Sequence, residues 1–157
     1  MRRTEATLVS RPTYQTEADL RRELQIARFF ERRFKLQMVK RGEYDHFDFE
    51  VRRGGAVGIA EVKRRFHPQM KYDTFMISQA KIIAGLLEAA VRKLQARLVI
   101  CWDDAAGWIK ASEFTHTAMG GRTDRGDPRD REMCCHYPME RFRLFWWPTP
   151  EEPAPPP

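Results

Sequence analysis

Residues 44–63 read YDHFDFEVRRGGAVGIAEVK. The stretch begins with an alternation: Phe47, Phe49 and Val51 fall on one side and His46, Asp48 and Glu50 on the other, the two-residue period of a β-strand. Arg52-Arg53-Gly54-Gly55 supplies a turn, and Ala56 to Lys63 reads as a second strand with Val57, Ile59, Glu61 and Lys63 on one face. Whether the turn closes Arg52 on Gly55 or Val51 on Ala56, the same register results. It sets Asp48 opposite Ile59 and diagonal to Glu61, at roughly 7–8 Å between backbones, on the face that carries Lys63. Two carboxylates and an ammonium beside Val57 and Ile59 make a poor core unless something neutralises the acids.

Upstream of the hairpin, Thr16 is a good helix N-cap, and Asp19 three residues on completes a capping box. Leu20, Leu24, Ala27, Phe30 and Phe34 then recur at three- and four-residue steps and predict an amphipathic helix to about Phe34. Glu23 falls inside that stripe and so requires a cation or a donor nearby. If this helix packs across the acid-bearing sheet face, Glu23 joins the same group.

Downstream, a basic loop containing Pro68 leads to a third strand over residues 72–77. Ser78 caps a helix running through Ile82, Ile83, Leu86, Ala90 and Leu94. Leu98 to Trp102 is a short apolar run typical of a buried strand, and Trp108 to Ala111 returns as an edge strand. Residues 115–132 lack periodicity and read as a mobile loop or excursion. Met139 to Trp147 alternates through Phe142, Leu144 and Trp146 as a late strand. Residues 1–15 read as a flexible arm, 16–147 as one domain, and 148–157 as a disordered proline-rich tail.

A chain of 157 residues with 42% hydrophobic content is the size of one domain with one core. No apolar run approaches the roughly 20 residues that cross a bilayer, and no apolar leader follows Met1, so the expected setting is a soluble, cytoplasmic one. Cys101, Cys134 and Cys135 fit reduced thiols, since adjacent cysteines bridge each other only with strain. A formal charge of +6 and pI near 9.5 favour polyanionic partners.

The acids and lysine of the hairpin suit one chemistry. A hard cation such as Mg²⁺ takes oxygen ligands, and Asp48, one oxygen of Glu61 and the carbonyl of Val62 would form an open site, with Glu23 reaching it directly or through water. Lys63 would position the attacking water or stabilise charge on a scissile phosphate, which is phosphodiester hydrolysis. Arg64, Arg65, His67 and Lys71 follow directly and would form a phosphate-contacting lip. Gln79 and Lys81 open the second helix; Gln79 lies with Ile83, Leu86 and Ala90, and Lys81 points away from them unless the first turn sits above the cleft. His46 on the acid face reads as a neighbour. His116, Cys134, Cys135 and His136 lack the paired spacing of a zinc site, and Trp146 and Trp147 read as covering the core edge.

In this pattern, Asp48 followed by Glu61-Val62-Lys63, the chain resembles the PD-(D/E)XK nuclease superfamily, with an acid on one strand and Glu-x-Lys on the next. The order over residues 16–102 is similar to that of archaeal Holliday-junction resolvases and small phage nucleases. One departure is Phe47 where proline often precedes the acid. The resemblance implies an α/β, restriction-endonuclease-like core, with a mixed central β-sheet flanked by helices in α-β-β-β-α-β order. It also implies Mg²⁺ or Mn²⁺, DNA as substrate, structure-selective cutting at junctions or branches, and a bacterial or phage-infected cell. Cutting two strands would call for a homodimer, whose interface the sequence does not display. The alternative is a nucleic-acid-binding or assembly protein that keeps the nuclease fold without catalysis.

Overall fold

The computed structural model describes residues 16–43, 45–121, 126, 128 and 131–146. The expected N-terminal arm, Tyr44, Trp147 and the proline-rich tail lie outside these. Helix α1 spans Glu17–Phe34. Its capping box forms as the sequence predicts, with Thr16 Oγ1 accepting from the Asp19 amide and Asp19 accepting from the Thr16 amide, both at 3.1 Å. The helix ends at Lys35, whose left-handed φ of 54° stops propagation. The buried face is Glu23, Ile26, Ala27, Phe29 and Phe30. Leu20 and Leu24 remain substantially exposed, so the stripe is rotated from the expected one and Glu23 sits at its inner end.

Strand β1 (Gln37–Lys40), which the pattern does not predict, precedes β2 (Phe49–Arg52) and β3 (Ala56–Arg64). β4 (Thr74–Ser78) and α2 (Gln79–Arg92) follow; Ser78 Oγ caps α2 by accepting from the Lys81 amide. The chain continues through β5 (Gln95–Cys101), β6 (Ala106–Lys110), β7 (His116–Gly121), β8 (Arg131–Pro138) and β9 (Arg143–Trp146). The central sheet is six-stranded, ordered β1-β2-β3-β5-β6-β9. It is mixed, because β3 and β5 pair in parallel and its other pairings are antiparallel.

Four expectations change here. β4 does not join the central sheet. It pairs with β8, and β8 with β7, in a separate three-stranded antiparallel sheet. Much of the expected loop over 115–132 is therefore strand: its Gly- and Thr-rich sequence hides the pairing because a sheet-edge hairpin needs few apolar residues on its outer face. β6 is internal rather than an edge, with β9 beyond it. In β9 the buried residues are Phe145 and Trp146, not an alternating set.

Apolar residues divide onto the two faces of the central sheet by strand parity. On one face α1 covers Phe49, Val51, Ala60, Val62, Val99 and Cys101. On the other, α2 and the small sheet cover Ile59, Leu98, Ile100 and Ile109. Glu61 and Lys63 share the parity of Ile59, so the acid face is the α2 face. The expectation that α1 lies across it is corrected.

Candidate active site

The turn between β2 and β3 has three residues, Arg53 to Gly55, with Gly54 at φ +72° and Arg52 paired to Ala56. By itself an odd turn would send Asp48 and Glu61 to opposite faces. A bulge between Val51 and Arg52 adds one more residue and restores the parity, giving Val51↔Gly58, Glu50↔Ile59 and Phe49↔Ala60. That register replaces the expected one: Ile59 faces Glu50, not Asp48, and extended one step beyond the paired residues it would set Asp48 across from Glu61. Phe47 leaves the strand alternation, since residues 45–48 form a bend and its ring turns into the α2-side core while Phe49 faces α1.

Pairing of β2 with β3 ends at Phe49↔Ala60, whereas β5 follows β3 to Arg64. One side of Glu61 to Arg64 is thus left to side chains. Glu23 reaches in from α1, on the far face, with Oε1 3.6 Å from Lys63 Nζ. Lys63 Nζ is also 3.1 Å from Glu61 Oε1, and Lys81 Nζ, from the first turn of α2, is 2.5 Å from the same oxygen. Lys40 Nζ lies 3.7 Å from Asp48 Oδ1. Three carboxylates and three ammonium groups thus interlock. Glu61 is fully buried, at 0% exposure, and Glu23 is buried as well.

Burial pushes the Glu23 carboxyl above the usual carboxylate range; Lys63 opposes this, and the charges of Asp48 and Glu61 add to it. Burial alone would lower the Lys63 ammonium. Glu61, Glu23 and Asp48 outweigh that cost and hold it above its ordinary value, so Lys63 carries its charge at neutral pH.

Asp48 Oδ2 and Glu61 Oε2 are both buried and have no hydrogen-bond partner. A buried lone carboxylate oxygen costs free energy unless a cation or donor meets it. Two such oxygens, from segments brought face to face by the hairpin, fit a hard divalent ion. Among the described residues, no three His, Cys, Asp or Glu side chains form a ready-made metal cage.

Glu23 and Lys63 also wall a cleft of about 330 Å³ completed by Asp19, Arg22, Arg64, Arg65 and Phe66. Arg64 is tied to Asp103 at 2.9 Å. The Arg65 guanidinium lies over Phe75, 5.0 Å from its centroid. Lys71 lies over Tyr72, outside this cleft. Val62 buries its side chain on the α1 face. Gln79 is half-buried at the start of α2, whose core-facing residues are Ile82, Gly85 and Ala89. That phase differs from the predicted one, and it is why Lys81 turns toward Glu61 instead of away. His46 is exposed. His116 and His136 stack on each other, with ring centroids 4.6 Å apart, on the separate sheet.

Two cations escape sequence reading. Lys40 belongs to a four-residue strand too short to show a period. Arg22 sits one position from Glu23 and looks like an ordinary exposed helix charge. A comparable cavity of about 310 Å³ on the α1 face, between Phe30, Phe34, Val57 and Trp108, has no carboxylate in its lining and so lacks this chemistry.

No curated protein matches the chain. Among solved structures, Hjc, a Holliday junction resolvase from the archaeal hyperthermophile Archaeoglobus fulgidus, superimposes with a TM-score of 0.45 at 10% identity, covering 61% of this chain and 78% of that one. A family model described as "Phage putative PDDEXK endonuclease" matches residues 9–145. With that match spanning most of its length, the chain belongs to this PD-(D/E)XK endonuclease family.

Proposed function

We propose that the chain hydrolyses phosphodiester bonds in DNA, using a divalent ion, Mg²⁺ or Mn²⁺, held by Asp48 and Glu61 with Glu23 and the Val62 carbonyl as further donors. The observation that carries this reading is the pair of buried, partnerless oxygens, Asp48 Oδ2 and Glu61 Oε2, next to the Lys63 ammonium. When bound, such an ion supplies positive charge to a phosphate oxygen and makes water easier to deprotonate. The chain's own groups do the rest. Lys63, gripped by Glu61 and Glu23, keeps its proton and donates to the phosphate or to the attacking water. Arg64 and Arg65 place further positive charge along the cleft, and Lys81, paired with Glu61, is the cation that would be freed toward a strand if Glu61 engages the ion. The preferred substrates in this reading are junction or branched DNAs.

Incubation with linear, nicked, branched and single-stranded DNA in Mg²⁺ or Mn²⁺ tests the proposal. Cutting is expected with at least one substrate, to be lost on chelation and to fall by on the order of a hundredfold or more in Glu61→Ala and in Lys63→Ala. Cutting unchanged by either substitution, or none with any substrate, refutes it. Metal-independent DNA binding without cutting would favour the second reading, a binding protein on a nuclease fold. The two lysines that already pair with one oxygen of Glu61 give that reading its support.

A further inference from the structure

The loop that leaves the catalytic strand exposes apolar groups where folding gains nothing from them. Phe66 is 61% exposed, Met70 63% and Tyr72 53%. Single exposed apolar residues are ordinary on a protein surface. Three within seven residues are a different matter, and one of them borders the basic cleft. Phe66 lines the same cleft as Glu23 and Lys63, and chain length keeps it within about 11 Å of Lys63.

Its exposure does not come from a slack loop. The Arg65 amide donates to the Cys101 carbonyl at 2.9 Å and the Asp103 amide to the His67 carbonyl at 3.1 Å, so the backbone on both sides of Phe66 is tied down. Gln69 fastens the loop again, through its amide to Asp104 Oδ1 at 2.8 Å and through Nε2 to the Met139 carbonyl at 2.9 Å.

Two guanidinium groups lie over the Phe66 ring, Arg64 at 4.5 Å and Arg22 at 5.1 Å from its centroid. They are held differently. Arg64 is anchored by Asp103 and by the carbonyls of Arg65 and Cys101. Arg22 has an ion pair with Asp19 on the surface of its own helix, a contact that water weakens and that is easily exchanged. A flat π-face on a fixed backbone, with one permanent cation and one exchangeable cation beside it, is what an unstacked nucleobase and its phosphate require.

We propose that Phe66 is a stacking platform for an unpaired base of the strand to be cut, with Arg22 released from the ring to meet the adjoining phosphate. This rests on the DNA-nuclease reading above and narrows its substrate class to DNA that is single-stranded within about three nucleotides of the scissile phosphate, given 3.4 Å per nucleotide along a stacked strand. An intact duplex keeps its bases paired and presents no free face to the ring.

The test measures binding by the full chain in Ca²⁺ without Mg²⁺, by fluorescence anisotropy, to a labelled oligothymidine strand and to a blunt duplex of random sequence. Phe66→Ala should weaken single-strand binding by roughly tenfold, within the range measured for a stacked base. It should leave duplex binding within about twofold, and Phe66→Trp should restore the single-strand affinity. Because the ring is exposed, both variants should melt with the wild type, and a melting curve confirms it. Equal losses on both DNAs, no loss on either, or a Trp variant as weak as the Ala variant overturns the proposal. Failure here is separable from failure of the parent reading: a chain that cuts DNA through Glu61 yet is indifferent to Phe66 loses this inference alone. Binding to neither DNA overturns both.

Discussion

A methyl group on Gly85 would lie 2.3 Å from the ring of Phe47, a distance no real Cβ contact tolerates. Phe47 is fully buried, and the next residue is Asp48. The ring seated against bare helix backbone therefore fixes the bend that aims the first acid of the site. Gly85→Ala, which in an exposed helix would stabilise, should here cost about 1–3 kcal/mol in chemical denaturation and slow DNA cutting as well. A variant as stable as the wild type would show that Phe47 is not what holds the bend. At this scale the grouping of Asp48, Glu61 and Lys63 on one side of the hairpin was legible in the sequence, because the bulge that compensates the three-residue turn preserves the parity an even turn predicts. Lys81 was not: its direction depends on the phase of α2, which Gly85 sets by accepting Phe47, and a glycine gives no sign in a hydrophobic pattern.

Helix α2 is fastened to the β1–β2 region by charge. Arg41 Nη2 reaches both oxygens of Glu88, at 2.7 and 2.8 Å, and Arg92 bridges Glu88 at 2.7 Å to Glu50 at 2.5 Å. Burial works to raise the Glu88 carboxyl, but the hydrogen bonds from Arg41 and Arg92 prevail and hold it below the usual carboxylate range. Arg92 and Arg52 lower Glu50 likewise. A depressed folded-state pKa contributes stability that is present above the unfolded value and is lost as pH falls through the folded one. Glu88→Gln should therefore lower the melting temperature by a few degrees at neutral pH. The gap from wild type should close as pH drops below the ordinary carboxylate range; a gap that persists in acid would mean the contribution is packing, not charge. Helices and long strands were readable as elements because their periods are long. β1 was not, because Gln37–Lys40 puts Met38 and Val39 side by side and shows no alternation, and the register of the hairpin was misread because a three-residue turn and a compensating bulge leave parity intact while moving each partner.

Across the whole molecule, the central sheet and its flanking helices follow from local pattern, and the second sheet does not. β4 pairs with β8, more than fifty residues later in the chain, and pairing at that separation is decided by the packing of Ile77, Cys135 and Tyr137 against the core. No helix among the described residues is long and apolar enough to cross a membrane.

The interlocked acids and lysines have one more consequence. Resting neutrality means that the apo protein should stay folded in chelator, since no large uncompensated charge awaits the ion. If a divalent cation binds these carboxylates as proposed, at Asp48 Oδ2 and Glu61 Oε2, it weakens the hold of Asp48 Oδ1 and Glu61 Oε1 on their ammonium groups, and those groups would then be at liberty to grip a polyanion. Ion and nucleic acid should accordingly recruit each other, each tightening the other's dissociation constant by an equal factor, as thermodynamic reciprocity demands. Calorimetric Ca²⁺ titrations with and without oligonucleotide would read that factor, and a value of one would mean the lysines never let go.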